Sequence, residues 1–181
     1  KSIKNKASLR VGINKIGVIF VFVSGIFILI NLVMVGFTIV PYNFANLDMM
    51  IQSSVAFSDS NLDLSYGELM AMMMGLTYLS SLSLSIFAGF LASLVRSSKA
   101  SLLIVLVTIG IVFLNYSNPS IDKIVSIFPQ AGLFSPRYLT NFYSYDVFGV
   151  EISHVNLIII TNLILIFASI AGILIKSARE N

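Results

Sequence analysis

The sequence predicts an all-α, polytopic membrane protein with four transmembrane helices and two short external amphipathic helices before the last span. Three observations carry this fold class. Hydrophobic residues make up 57% of the 181 positions and charged residues 10%, whereas soluble domains carry about 25% charged residues. Uncharged apolar stretches of membrane-spanning length recur along the chain. Basic and acidic residues fall on opposite sides of those stretches, as the positive-inside rule requires.

The first apolar segment, Ile16 to Val40, holds 25 residues without a charge and would extend about 37 Å as a helix, enough to span with some tilt. Pro41 stops it. The segment is too long for a signal-peptide core, and no small-residue cleavage pattern follows it. The second, Leu69 to Val95, opens with Ser65-Tyr66-Gly67-Glu68, a capping box with Ser65 as N-cap and Glu68 reaching back, and closes at Arg96. The third, Leu102 to Tyr116, contains 15 residues, or about 22 Å of helix against a hydrocarbon core of about 30 Å. The fourth, Val155 to Ile175, has ordinary length and ends in Lys176 and Arg179. Residues 1–181 thus form a single transmembrane domain. Because residue 1 is lysine, the expectation is part of a longer chain.

Nine of the eleven basic residues lie on one side: Lys1, Lys4, Lys6, Arg10, Lys15, Arg96, Lys99, Lys176 and Arg179. Seven of the eight acidic residues lie on the other. Both termini are therefore expected in the cytoplasm, with Ser126 among the residues facing outward. The net charge of +3 follows from this topology, and no nucleic-acid partner is implied.

Between the third and fourth apolar segments, residues 128–149 read FPQAGLFSPRYLTNFYSYDVFG, too aromatic for a connector in water. Asn118-Pro119 is an N-cap followed by proline at the first helical position, with Ile121, Ile124, Val125 and Phe128 on one face until Pro129 ends the helix. The pattern repeats with Ser135, Pro136 and a face of Tyr138, Leu139, Phe142 and Tyr145, closed by Gly149. Two helices, about 119–128 and 136–145, should lie in the outer interface or dip between the spans, and the short third span favours dipping. A static aromatic belt is the alternative. As a moving part the pair would be an external gate built from Phe128, Pro129, Phe134, Pro136, Arg137, Tyr138, Phe142 and Tyr145. It would tilt about a joint at Gly132, with Arg137 reaching lipid phosphates or Asp146.

Thr77, Ser81, Ser85, Gly89 and Ser93 recur every fourth residue in the second span. Such a stripe suits close helix packing, with a translocation path as the second reading. On the packing reading, Ser85→Leu should be worse tolerated than Ser101→Leu. Met70, Met72, Met73 and Met74 are spread around the helix and read as lipid- and core-filling.

Several chemistries have no residues here. With no cysteine there is no disulfide or thiolate ligand. No ionisable group lies inside a span, which disfavours ion-coupled transport. Hydrolase motifs and a phosphate-binding loop are missing, so the chain is expected to be no enzyme and to bind no cofactor or metal. His154, the sole histidine, reads as an interfacial ring supplying a hydrogen bond.

The turn Arg96-Ser97-Ser98-Lys99, the short span after it, two small external helices and a last span ending in basic residues resemble the C-terminal half of type-2 ABC exporter permeases. Leu133-Phe134-Ser135-Pro136 followed by Tyr143-Ser144-Tyr145-Asp146-Val147-Phe148-Gly149 is similar to the segment before their final span. The resemblance covers about residues 77–181. It implies a six-span permease in the bacterial cytoplasmic membrane, paired with a second permease subunit and with cytoplasmic ATPase subunits that bind ATP and Mg. Its cargo would be an amphipathic peptide, drug, lipid or glycan. The chain departs from that pattern in having four spans and a long external loop, Pro41 to Ser65. A structural or regulatory membrane protein and a pore-forming oligomer, neither with an ATPase partner, are the other function classes.

Overall fold

The computed structural model describes residues 2–38, 46–54, 57, 63–95, 97–113, 119–134 and 143–179. Helix α1 (Ser2–Thr38) starts well before the apolar run, so the basic residues between Lys4 and Lys15 ride on the same helix as the span. Nothing in that lead-in breaks a helix, since neither Gly12 nor any nearby residue is a proline. Past α1, the loop makes a 3₁₀ turn at Ile51–Ser53 and buries Ile51 completely. Backbone bonds from Ile51 N to Leu64 O (3.0 Å) and from Tyr66 N to Met49 O (2.9 Å) tie this loop to the start of the next helix.

Helix α2 (Tyr66–Val95) opens on the expected capping box: Ser65 N donates to Glu68 Oε2 at 2.8 Å and Glu68 N donates to Ser65 Oγ at 3.3 Å. Two residues separate α2 from α3 (Ser98–Phe113), which folds back along it. Ser101 Oγ donates to Ala88 O at 2.7 Å across that hairpin, and Ser101 is buried. Among the described residues three helical stretches are long and apolar enough to cross a membrane: Leu9–Gly36, Tyr66–Val95 and His154–Arg179. At 16 residues α3 falls short of that length.

A seven-residue helix α4 (Pro119–Val125) follows, and the chain then enters a second 3₁₀ helix, Pro129–Phe134. The helix expected over 119–128 is corrected at its end: it stops at Val125, residues 126–128 turn, and Pro129 opens the new element, where its missing N–H costs nothing. The second amphipathic helix, expected over 136–145, is corrected at its C-terminal end. Tyr145 lies in strand β1 (Ser144–Val147), paired antiparallel with β2 (Val150–Ser153) so that Tyr145 faces Ile152. Tyr143, Tyr145 and Val147 alternate with polar residues, a period of two, and Phe148 and Gly149 both take positive φ (55° and 81°). That is the signature of a two-residue primed turn, which matches the twist of a hairpin. Pro136, Arg137, Tyr138 and Phe142 lie outside the described residues. Helix α5 (His154–Arg179) closes the chain.

Helix α2 is the centre of the molecule. Towards its N-terminal end, Leu69 and Leu76 form a buried cluster with Ile51, Val125, Ala131 and Ile158. Towards its C-terminal end, Leu82 and Ile86 meet Ile173, with Ile19 and Val23 of α1 against them. The outer surfaces are apolar: Val21, Phe22 and Leu32 on α1, Leu103 and Val107 on α3, and Phe167 on α5 are all exposed. Apolar residues facing out, with polar side chains such as Ser80, Ser83 and Asn162 kept inside among the buried clusters, are the arrangement hydrocarbon solvent demands.

Candidate functional site

The polar residues at the middle of the bundle are not those of the four-residue stripe. Ser80 and Ser83, one and two positions off it, are fully buried against α5, where they meet Asn162, also fully buried. The Asn162 amide donates to Ser80 Oγ at 3.2 Å and to Ile158 O at 2.8 Å, while its carbonyl oxygen accepts from the Ser83 hydroxyl. Each polar group of the amide is thereby satisfied, as burial in an apolar medium requires.

The 3₁₀ segment reaches down to this network. Thr77 Oγ1 donates to Gly132 O at 3.3 Å, and Thr161 Oγ1 of α5 donates to Ile127 O at 2.8 Å. Gln130, Ala131 and Gly132 are buried between the helices. Ser80 stands about 20 Å along α2 from its first residue at 1.5 Å per residue, so residues 127–134 form a wedge that ends midway along the helix. A Cβ on Gly132 would collide with Ser80 Oγ and lie 3.0 Å from Leu76 O. The expectation that Gly132 serves as a flexible joint is therefore corrected: its lack of a side chain lets two backbones touch, and it is pinned there.

The stripe faces α1. Thr77, Ser81 and Ser85 border a cleft of ≈ 530 Å³ whose opposite wall is Phe22, Ile26 and Phe27 of α1. Ser81 returns its hydroxyl to Thr77 O at 2.7 Å. Tyr78 ties the same two helices together: its hydroxyl lies 2.8 Å from Ser24 Oγ and its ring centroid is 4.9 Å from that of Phe27. Further along, Gly89 lets α1 come close: a Cβ there would stand 2.7 Å from Ile19 Cδ1. Ser93 borders a second cavity with Lys15 and Lys176, and its carbonyl accepts from the Lys176 ammonium. The stripe thus borders one cavity at Thr77, Ser81 and Ser85 and a second at Gly89 and Ser93, with α1 closest at Gly89.

At the far end of the bundle sits a polar cap. Asp122 is buried and accepts from Tyr143 Oη at 3.2 Å. The fully buried His154 has Nδ1 3.3 Å from the Tyr143 carbonyl, with the two rings edge to face. Tyr145 Oη lies 2.7 Å from Ser126 Oγ and donates to Lys123 O, and the Lys123 ammonium stands 4.7 Å above its ring. Burial pushes the Tyr145 phenol above its ordinary pKa; the Ser126 hydrogen bond works against that shift and the charge of Asp122 adds to it. Ser126 is wholly buried in this cap, which corrects its expected outward exposure.

The proposed gate residues do not form one cluster among the described residues. Phe128 is exposed, Pro129 half-buried, Phe134 ends the 3₁₀ helix, and Tyr145 is held against α4. Sequence reasoning missed Ser80, Ser83 and Asn162. The one available signal was an asparagine inside the otherwise apolar run of the last span, a position where polar side chains are costly unless partnered.

No protein-family model matches the chain, and neither a curated protein nor a solved structure matches it.

Proposed function

We propose that this chain is a transmembrane permease subunit of an ABC exporter, spanning the membrane four times with α3 as the short span and both termini in the cytoplasm. The observation that carries the reading is the wedge at residues 127–134, seated midway along α2 beside a largely apolar cleft that Thr77, Ser81 and Ser85 border. Non-helical backbone at membrane depth is tolerated only where protein or a cavity surrounds it, an arrangement found in transporters. A protein serving only as a membrane anchor has no use for it. In this reading the wedge and the polar cap close the outer end of a path along α2 for an amphipathic substrate, and a second permease subunit completes that path. The two ATPase subunits dock on the basic end, where Lys15 and Lys176 meet, and bind ATP and Mg themselves.

The test is purification of the tagged chain from its own membranes in mild detergent. A P-loop ATPase should come with it in stoichiometric amount, and its hydrolysis rate should change when the chain is removed. A chain that purifies intact without any ATPase would end the reading in favour of a structural protein, and ion conductance from the chain alone would end it in favour of a pore.

A further inference from the structure

Four of the seven methionines meet in one place. Met70, Met73 and Met74 stand on the first turns of α2 at i, i+3 and i+4, which is one helix face. Met34 comes from α1 across the cleft, and all four border the same ≈ 530 Å³ cavity. Met70 and Met73 also border the adjoining cavity beneath the outer loop, where Met49 joins them. Met72 borders neither cavity; both it and Met73 pack on the cluster around Ile51 and Leu69. The fold therefore gathers thioethers that the sequence alone spreads around a helix.

We propose that this cluster binds a soft monovalent cation, Cu(I) or its analogue Ag(I). Thioether sulfur is a soft, uncharged donor and selects Cu(I) over ions that prefer oxygen or nitrogen. Neutral ligands offset no second positive charge, so a divalent ion would sit in an apolar cleft uncompensated. Among the described residues no group of three or more His, Cys, Asp or Glu is placed to hold such an ion. Asn31 borders the same cavity; its amide donates to Phe27 O at 2.8 Å, which leaves its side-chain carbonyl as a further neutral donor. Simple space filling does not account for the cluster. Met73 also packs on the Ile51–Leu69 cluster, but a methionine used as gap-filler closes its gap, whereas Met34, Met70 and Met74 border open volume. Met49 and Met50 are half-exposed on the outer loop and offer the ion its first ligands. Binding is ligand exchange, water or a chelator leaving as thioethers enter, and no electron moves.

The measurement uses the purified full chain in detergent with ¹³C-labelled methionine methyl groups, titrated with silver nitrate in chloride-free buffer. One Ag(I) should bind per chain, shifting the methyl signals of Met34, Met70, Met73 and Met74 while that of Met72 stays in place. The volume-conserving triple variant Met70→Leu, Met73→Leu, Met74→Leu should weaken binding by more than about 100-fold, since even indirect partners of a metal ligand are worth about 10–100-fold. Met72→Leu should bind as the parent does. Absence of binding, equal affinity in the triple variant, or a Met72 shift as large as the others would overturn the proposal. Should the triple variant fail to fold, the methyl shifts of the parent chain decide alone. No ATPase is involved, so failure here leaves the permease reading untouched.

Discussion

Gly132 and Asn162 hold the wedge and the last helix to α2 by opposite means, one by having no side chain and the other by a fully bonded one. Gly132→Ala should lower stability by about 1–3 kcal/mol, the usual cost of overpacking, read as the midpoint of unfolding in mixed micelles. Adding Ser80→Gly should restore part of that loss, because the collision is with the Ser80 side chain; strictly additive effects would place Gly132 elsewhere. Asn162→Leu removes its bond to Ile158 within α5 and the two to Ser80 and Ser83 of α2, and hydrogen bonds between membrane helices are worth about 0.6–2 kcal/mol each. At the outer cap the sign of a pH effect follows from Tyr145. Its phenol holds its proton more tightly folded than unfolded, so it contributes stability below the unfolded value, about pH 10, and that stability is lost as pH rises through the folded value. An ultraviolet titration of phenolate should show one late-titrating tyrosine, and Tyr145→Phe should abolish it.

Helix α2 carries two polar faces, and only one of them was visible as a pattern. The stripe is periodic and catches the eye, but its N-terminal half borders open space, and the pair that meets α5 is Ser80 and Ser83. This reverses an expectation about substitutions. Ser85→Leu points into the cleft and should be accepted, whereas Ser101→Leu displaces a buried hydroxyl bonded to Ala88 and should separate α3 from α2. Gly89→Leu, against Ile19, should loosen α1. Protease sensitivity of the three variants in membranes ranks them, and a Ser85→Leu variant degraded faster than Ser101→Leu would refute this account. What was legible at this scale was local: the capping box of Ser65 and Glu68 involves four consecutive residues and stands as expected. Tyr145 was misread because its surroundings satisfy a period of two as well as a helical one, and Gly149 closes either element. Gly132 was misread because what fixes it lies 55 positions away, at Thr77.

Across the whole molecule, the segregation of charge is the clearest message of the sequence. Lys15 and Lys176 border one cavity at the C-terminal end of α2, and Asp122 with the acidic hairpin residues Asp146 and Glu151 belongs to the other end. A cysteine at the exposed position Glu151 should react with an impermeant thiol reagent on intact cells, and one at the exposed Lys99 should react only after lysis. Labelling at 99 from outside would overturn the orientation. Length and apolarity read as four spans in the sequence; among the described residues three helices are long and apolar enough to cross a membrane, and α3, at 16 residues, is shorter. The interior contacts were not legible, because each joins residues distant in sequence: Asn162 meets Ser80 across 82 positions.

That distance has a consequence for how the protein is made. The wedge takes one of its two anchoring hydrogen bonds from Thr161, 34 residues downstream of Ile127. At a synthesis rate of about 5–20 residues per second, the wedge therefore emerges seconds before the helix that will hold it. In that interval the Ile127 carbonyl lacks its Thr161 donor and the wedge has only its contacts with α2, so it is expected to settle fully when α5 inserts. Insertion of the last helix and seating of the wedge should then be a single event in biogenesis. A nascent chain arrested before residue 154 should leave the 119–134 segment open to protease from outside, and release of the arrest should protect it.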